Sequence, residues 1–190
     1  MTTSSPSPAS TWLRTLYYTR AAFSLIWVAL AFTIARVSPA VSSVLLVLYP
    51  AWDAFANAVD AKQSGGIAAN PLQVINAVVS AVTAAAMAIA VGRGMPAVFV
   101  VFGAWAVLSG LLQLGTAVRR WKPFGAQWPM ALSGTQSALA GAFFVKQASG
   151  PAPMLQNLAG YAAVGALYFL ISASVLLYRE RTALKSPAGH

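Results

Sequence analysis

Apolar residues occur along this chain in six long runs, separated by short stretches rich in Gly, Pro, Lys and Arg. A helix needs roughly 20 mainly apolar residues to cross a bilayer, and each run has about that length. The breaks between the runs fall at Pro39 and at 62–71, 92–96, 119–125 and 146–153. The pattern therefore predicts membrane-spanning helices near residues 17–35, 40–61, 72–91, 97–118, 127–145 and 155–178.

The composition agrees with this pattern. Hydrophobic residues make up 58% of the chain and charged residues only 8%, whereas a soluble domain carries about 25% charged residues. We expect an all-α integral membrane protein with a transmembrane domain over 17–178. The opening "MTTSSPSPAS" is rich in Ser, Thr and Pro, which predicts a disordered cytosolic tail over 1–16, and residues 179–190 are expected to form a second cytosolic tail.

The basic residues predict how the chain sits in the membrane, because Lys and Arg are retained on the cytoplasmic side. Three of the twelve, Arg36, Arg93 and Lys146, fall on one side of the predicted spans, and the other nine fall on the opposite side. This asymmetry places both termini in the cytoplasm and favours an even number of spans. It also argues against cleavage of the first run as a secretory signal after the "SPA" at 38–40. The nine are Arg14, Arg20, Lys62, Arg119, Arg120, Lys122, Arg179, Arg181 and Lys185.

A short pattern recurs in the second, fourth and sixth predicted spans. "YPAWDAFANAVDA" at 49–61 aligns with "FGAWAVLSGLLQL" at 102–114, and "VGALYFLISASVL" at 164–176 is a weaker third copy. The spacing predicts a repeated unit of two helices, and so a fold of six transmembrane helices built as three helical hairpins. Small residues four apart, such as Ala106 and Gly110, are expected to let neighbouring helices approach closely.

One hairpin resembles a known family. The stretch "VFGAWAVLSGLLQLGTAVRRWKPFGAQWPMALSGTQSALAGAFFV" at 101–145 is similar to the short repeat of the HdeD family of bacterial inner-membrane proteins. Its "SG" core, basic-aromatic link and following "LSG" carry the resemblance. The resemblance implies a small six-helix protein of the bacterial inner membrane, of a kind associated in some members with survival of acid stress. It supplies no catalytic or ligand-binding residues.

Two of the three acidic residues in the chain lie in the second span. On a helix Asp53, Asn57 and Asp60 lie within an arc of about 60°, and Asp53 lies roughly 20 Å from the outer end. A carboxylate at that depth costs at least about 2.5 kcal/mol and must face the protein interior or water. Arg20 is expected near a span end, which leaves Asp53 without a cationic partner, while Asp60 is expected at the cytosolic boundary near Lys62.

These residues define a candidate polar or proton-binding site. Its predicted members are Asp53, Asn57, Asp60, Asn76, Gln113 and Tyr168. Two interpretations stay open: Asp53 takes up and releases a proton at the end of a polar cavity, or it is hydrogen-bonded to indole and amide donors and fixes how the second helix packs.

The densest basic-aromatic cluster, "RRWKPF" at 119–124, has two interpretations as well. It is a topology determinant and interface anchor, or it binds anionic lipid headgroups. The candidate headgroup contacts are Arg119, Arg120, Trp121 and Lys122.

Other chemistry finds little support in the sequence. The chain has no cysteine, and its one histidine is the last residue, so we expect no metal site and no cofactor. The serines of the spans have no histidine or lysine base in the same membrane layer, and we expect no catalytic residues and no enzymatic activity. The basic residues are scattered rather than clustered on one face, so no nucleic-acid partner is expected.

The sequence thus predicts a non-enzymatic membrane protein with a role in acid or envelope stress. Two alternatives stay open: a small proton-linked transporter or channel that uses Asp53, and an accessory subunit of a membrane complex. The expected partners are the lipid bilayer and either a second copy of the chain or another membrane protein.

Overall fold

A computed structural model describes residues 8–124, 127–150 and 153–185. Over these residues the chain forms helices and no strand, which confirms the all-helical prediction. Single turns of 3-10 helix follow α1 at Ile34–Arg36 and α3 at Val91–Arg93. The six helices are α1 (Pro8–Phe32), α2 (Pro39–Gln63), α3 (Pro71–Ala90), α4 (Met95–Phe124), α5 (Trp128–Gln147) and α6 (Leu155–Lys185).

Five of the described helical segments are long and apolar enough to cross a membrane: Thr11–Arg36, Pro39–Gln63, Pro71–Arg93, Met95–Pro123 and Leu155–Thr182. The chain is therefore a multi-pass membrane protein. The helix outside this set is α5. Its 20 residues span about 30 Å, which matches a bilayer core, but the polar run Ser133, Thr135, Gln136 and Ser137 lowers its mean hydropathy.

The first and last helices extend beyond their predicted bounds. Helix α1 begins at Pro8, so residues 8–16 are helical where a disordered tail was predicted, and α6 continues through 179–185 to Lys185. Leu13 and Leu176 are buried at 1% and 4% exposure, because the start of α1 packs against the end of α6. The remaining parts of the two predicted tails, 1–7 and 186–190, lie outside the described residues.

The six helices form a closed ring. Each helix packs against the next one in the chain, and α6 packs against α1. The most extensive contacts lie between α4 and α5, followed by α1 with α6 and α2 with α3. The α1–α2 and α5–α6 contacts, which lie inside two of the predicted hairpins, are much smaller. The contacts between neighbouring hairpins are thus more extensive than the contacts between the two helices within the first or the third hairpin.

Glycines explain the closest of these contacts. A Cβ added at Gly103 would lie 2.6 Å from the carbonyl oxygen of Gly141, and one at Gly110 would lie 2.6 Å from that of Gly134. The glycines are seven apart on each helix, so they recur on the same face after two turns. Helices α4 and α5 therefore meet backbone to backbone, as small residues permit in lipid.

The interior of the ring differs between its two ends. The half farther from the chain termini is filled by a large apolar cluster that includes Trp27, Met87, Phe99, Phe102 and Phe144, and we refer to it as the apolar half. The ring of Phe102, for example, makes edge-on contacts with Trp105, Tyr161 and Phe144 at centroid distances of 5.1, 5.6 and 5.9 Å. The half nearer the termini contains the buried polar residues and is called the polar half.

Candidate functional site

Two adjacent cavities lie in the polar half, along the axis of the ring. Their volumes are about 40 and 50 Å³, which is room for a few water molecules each. The near cavity, toward the chain termini, includes Tyr17, Asp60 and Arg120 in its lining, and the deep cavity includes Tyr49, Asp53 and Ser109. All six helices contribute residues to each cavity. Four residues line both: Arg20, Asn76, Gln113 and Phe169.

Asp53 lies in the deep cavity and contacts polar or charged side chains from α1, α2 and α3. It forms an ion pair with Arg20 of α1, and its Oδ2 accepts hydrogen bonds from Ser80 Oγ of α3 at 2.7 Å and from Asn57 Nδ2 at 3.0 Å. Trp105 of α4 donates its indole N–H to Ser80 Oγ at 2.9 Å. Asp53 and its hydrogen-bond network therefore connect four helices.

This ion pair corrects the prediction that Asp53 has no cationic partner. Arg20 was placed near the end of a span that began at residue 17, but α1 begins at Pro8. Arg20 is therefore well inside the helix. Its guanidinium also lies over the ring of Phe169 at 4.9 Å from the centroid, a cation–π contact that attracts the cation to the face of the ring.

Asp60 is also inside the protein rather than at its surface. It is 3% exposed and pairs with Arg120 Nη2 of α4, which lies 2.8 Å from Oδ2 and 3.0 Å from Oδ1. Ser64 Oγ donates to Oδ1 at 2.8 Å. The predicted neighbour Lys62 is exposed, because it projects from a different face of α2.

The pairing of Arg120 separates it from the other predicted headgroup contacts. Arg120 is 7% exposed and faces the near cavity, so it is not available to lipid headgroups. Arg119, Trp121 and Lys122 are exposed, as a headgroup-binding cluster requires. Adjacent arginines project about 100° apart on a helix, which puts one inside the ring and the other outside.

The third acidic residue completes a common pattern. Glu180 of α6 forms an ion pair with Arg14 of α1. The chain contains three acidic residues, and each is paired with an arginine of another helix.

The other predicted members of the polar site fall in different places. Asn57, Asn76 and Gln113 line the cavities, and Gln113 Nε2 donates to the backbone oxygen of Met130 at 3.3 Å. Tyr168 does not line either cavity. It packs in a second apolar cluster around Leu13 and Leu176, and the neighbouring Phe169 faces the interior instead, because one residue along a helix turns the side chain by about 100°.

Sequence reasoning missed several buried residues of α3 and α1 that line the cavities or contact Asp53. The buried positions of α3 include Gln73, Asn76, Ser80 and Thr83, at spacings of three, four and three residues. This is the spacing of one helix face, and it could have identified Gln73 and Ser80 in the sequence. Arg20 carries no such pattern, since its partner Asp53 is 33 residues away.

Polar atoms of Asn76 and Ser109 are deeply buried and have no protein partner among the described residues, although both residues line the cavities. Asn76 Oδ1 and Ser109 Oγ have no hydrogen bond to any described residue. Their side chains are 6% and 9% exposed. Buried polar atoms are normally hydrogen-bonded, so these two are suited to bind a polar molecule in the cavities.

The arrangement limits the chemistry available to the site. Two guanidinium groups and two carboxylates line the cavities, so their formal charges balance. Among the described residues no group of His, Cys, Asp and Glu side chains could hold a metal ion. The lining can bind water and polar solutes and exchange protons with its carboxylates.

The comparison with protein families finds a match to the middle of the chain. Residues 75–146 match the family described as "Short repeat of unknown function (DUF308)", a family found widely in small membrane proteins such as HdeD. The matched region runs from within α3 to the end of α5. It includes the α4–α5 glycines and Asn76, Ser80 and Trp105, but none of the three acidic residues.

No curated protein and no solved structure matches the chain.

Proposed function

We propose that this chain is a non-enzymatic, multi-pass protein of the bacterial inner membrane, similar to HdeD, that responds to acid during acid or envelope stress. In this proposal α5 spans the membrane with the other five helices, and both termini are cytoplasmic. The excess of Lys and Arg on the termini side supports this orientation, and the close α4–α5 packing supports a sixth span.

One observation carries the proposal: every acidic residue of the chain joins two helices of the ring through an arginine. Glu180 joins α6 to α1, Asp53 joins α2 to α1, and Asp60 joins α2 to α4. Protonation of a carboxylate removes its charge and leaves a guanidinium unpaired, which is strongly destabilising where the pair is buried, as at Asp53 and Asp60. Acid therefore weakens three helix contacts of the polar half together, whereas the aromatic packing of the apolar half contains no carboxylate.

Asp53 is the central element of this response because groups from several helices surround it. Arg20 of α1 and Ser80 of α3 contact it directly, and Tyr161 of α6 and Tyr49 of α2 line the same cavity. A proton on Asp53 ends the ion pair and forces the Ser80 and Asn57 hydrogen bonds to rearrange. The local charge change is thereby transmitted to several helices.

Infrared difference spectroscopy in lipid bilayers tests this proposal. Spectra are recorded at neutral pH and at successively lower pH values. We expect a protonated-carboxyl band that is absent in Asp53→Asn, accompanied by a change in the amide I band.

Asp60→Asn serves as the matched control, since it removes the neighbouring carboxyl and leaves Asp53 in place. An Asp53 band without any amide I change, or no Asp53 band at all, would refute the proposed acid response.

Transport through the ring is a second candidate, favoured by the position of both cavities on the ring axis. The aromatic side chains of the apolar half close this axis, so transport requires them to move. Proton flux into liposomes that falls in Asp53→Asn, with the thermal unfolding temperature unchanged, would support this candidate. Equal flux in both proteins would eliminate it.

A further inference from the structure

We infer that the two cavities form one binding site for a small polar solute with no net charge, either a neutral molecule such as an amide or a zwitterion. This inference does not depend on the proposed acid response, since it concerns the protein at neutral pH with its ion pairs intact.

The polarity of the lining supports a hydrogen-bonding ligand. Asn76 Oδ1 and Ser109 Oγ are deeply buried and have no partner among the described residues. Trp52 Nε1, also on the deep cavity, has none either. An amide group of a solute offers both hydrogen-bond donors and acceptors to such atoms. A carboxylate group offers acceptors alone. The three atoms thus provide two acceptors and two donors, since a serine hydroxyl is both.

The charge balance of the site argues against a charged ligand. Arg20 and Arg120 are already paired with Asp53 and Asp60. A net charge brought into a low-dielectric interior without a partner carries a large desolvation penalty. A solute whose charges sum to zero avoids most of this penalty.

The geometry points to entry from the polar half. The near cavity lies beside the chain termini and adjoins the deep cavity through Arg20, Asn76, Gln113 and Phe169. The other end of the axis is occupied by the apolar cluster around Phe99 and Phe102, which are both fully buried. The site is a blind vestibule rather than a through-going pore.

The absence of cysteine from the chain allows a direct test by single-cysteine labelling. Ser133→Cys places a thiol of nearly the same size in the deep cavity without removing a proposed ligand-binding atom, and Ser109→Cys provides a second reporter there. Lys122→Cys, at an exposed position, is the positive control that measures the reactivity of each reagent in solution. Ala159→Cys, fully buried in the apolar half, is the negative control. The reagents are small methanethiosulfonates that are neutral, cationic or anionic.

At neutral pH we expect the neutral reagent to label the Ser133→Cys variant faster than either charged reagent does, with the Ala159→Cys variant unlabelled. Glycine or acetamide should slow this labelling, by half when the solute concentration equals its dissociation constant. Guanidinium chloride and sodium acetate, kept below denaturing concentrations, should not slow it. Labelling of the Lys122→Cys variant should be unchanged throughout. Asn76→Leu added to Ser133→Cys should retain labelling and lose the protection.

Three results would overturn the inference. If no uncharged or zwitterionic solute slows the labelling of the Ser109→Cys and Ser133→Cys variants, the cavities hold water alone. Protection by the charged solutes only would mean that the ligand class is wrong. Failure of both variants to react while the Lys122→Cys variant reacts would mean that the interior is closed. None of these results bears on the infrared test, which measures Asp53 at acid pH.

Discussion

At the scale of single residues, the interior depends on Arg20. Its guanidinium balances the charge of Asp53 and lies over Phe169, and its side chain is only 13% exposed. Breaking a buried ion pair from one side leaves an uncompensated charge, which costs far more than the intact pair contributes. Removal of either Arg20 or Asp53 alone is therefore destabilising, because the other residue keeps its buried charge.

We predict that Arg20→Gln destabilises the protein by about 3–5 kcal/mol. The double variant Arg20→Gln/Asp53→Asn should recover much of this loss, because no charge then remains unpaired. The measurement is the free energy of unfolding in detergent or bicelles for both single variants and the double variant. Arg36→Gln, at an exposed position, should be close to neutral.

A double variant that is as unstable as the sum of the two single variants would show that Arg20 and Asp53 do not interact. Arg36→Gln separates this effect from a general sensitivity to the loss of positive charge.

The sequence indicated the importance of Asp53 and Asn57 but not their partners. A carboxylate in an apolar run is conspicuous, and helical spacing puts Asp53 and Asn57 on one face. The depth of Arg20 depends instead on where α1 begins, and the apolar run alone suggests a start nine residues too late, at Tyr17 rather than Pro8. A three- or four-residue repeat relates Asp53 to Asn57, whereas no local pattern relates Arg120 to Asp60.

At the scale of helices, the α4–α5 contact is the closest in the protein. The carbonyl oxygen of Gly134 lies where a Cβ at Gly110 would be, and the carbonyl oxygen of Gly110 lies where a Cβ at Gly134 would be. The packing is therefore sensitive to a single methyl group on this face and insensitive on others.

We predict that Gly110→Ala destabilises the protein, by about 1–3 kcal/mol. The new Cβ would lie 2.6 Å from the Gly134 oxygen and 2.7 Å from the Ala138 nitrogen, so α4 and α5 must separate. Gly160→Ala in α6 is the matched control: its Cβ meets nothing within 4 Å, and higher helix propensity makes it neutral or stabilising by up to about 1 kcal/mol.

Thermal unfolding of both variants in the same detergent is the measurement. Equal stability of Gly110→Ala and Gly160→Ala would show that α4 and α5 do not meet at these glycines.

The existence and approximate bounds of the helices follow from the sequence, because apolar run length and breakers such as Pro39 and Pro71 are local features. The pairing of helices does not follow. The Trp52–Trp105 alignment holds in three dimensions, since both residues line the deep cavity. The third copy does not reproduce it: Leu167, aligned with Trp105, is 54% exposed, and the interior position is taken by Phe169.

At the scale of the whole molecule, closure of the ring by α1 against α6 creates the interior. The Arg14–Glu180 pair and the contact of Tyr17 with Phe169, at 6.0 Å between ring centroids, lie at this seam. These residues are more than 150 positions apart in the chain, so no periodicity in the sequence predicts their meeting. The division into an apolar half and a polar half with paired charges follows from this closure.

The distance across this seam at two pH values tests both the closed ring and its response to acid. Spin labels at Thr11→Cys and Thr182→Cys, both exposed positions near the Arg14–Glu180 pair, report the separation of α1 and α6 in lipid bilayers. We expect a short, narrow distance distribution at neutral pH and a longer, broader one in acid. A variant with Asp53→Asn, Asp60→Asn and Glu180→Gln should show the broad distribution already at neutral pH. A long distance at neutral pH would contradict the closed ring, and an identical short distance at both pH values would contradict the acid response.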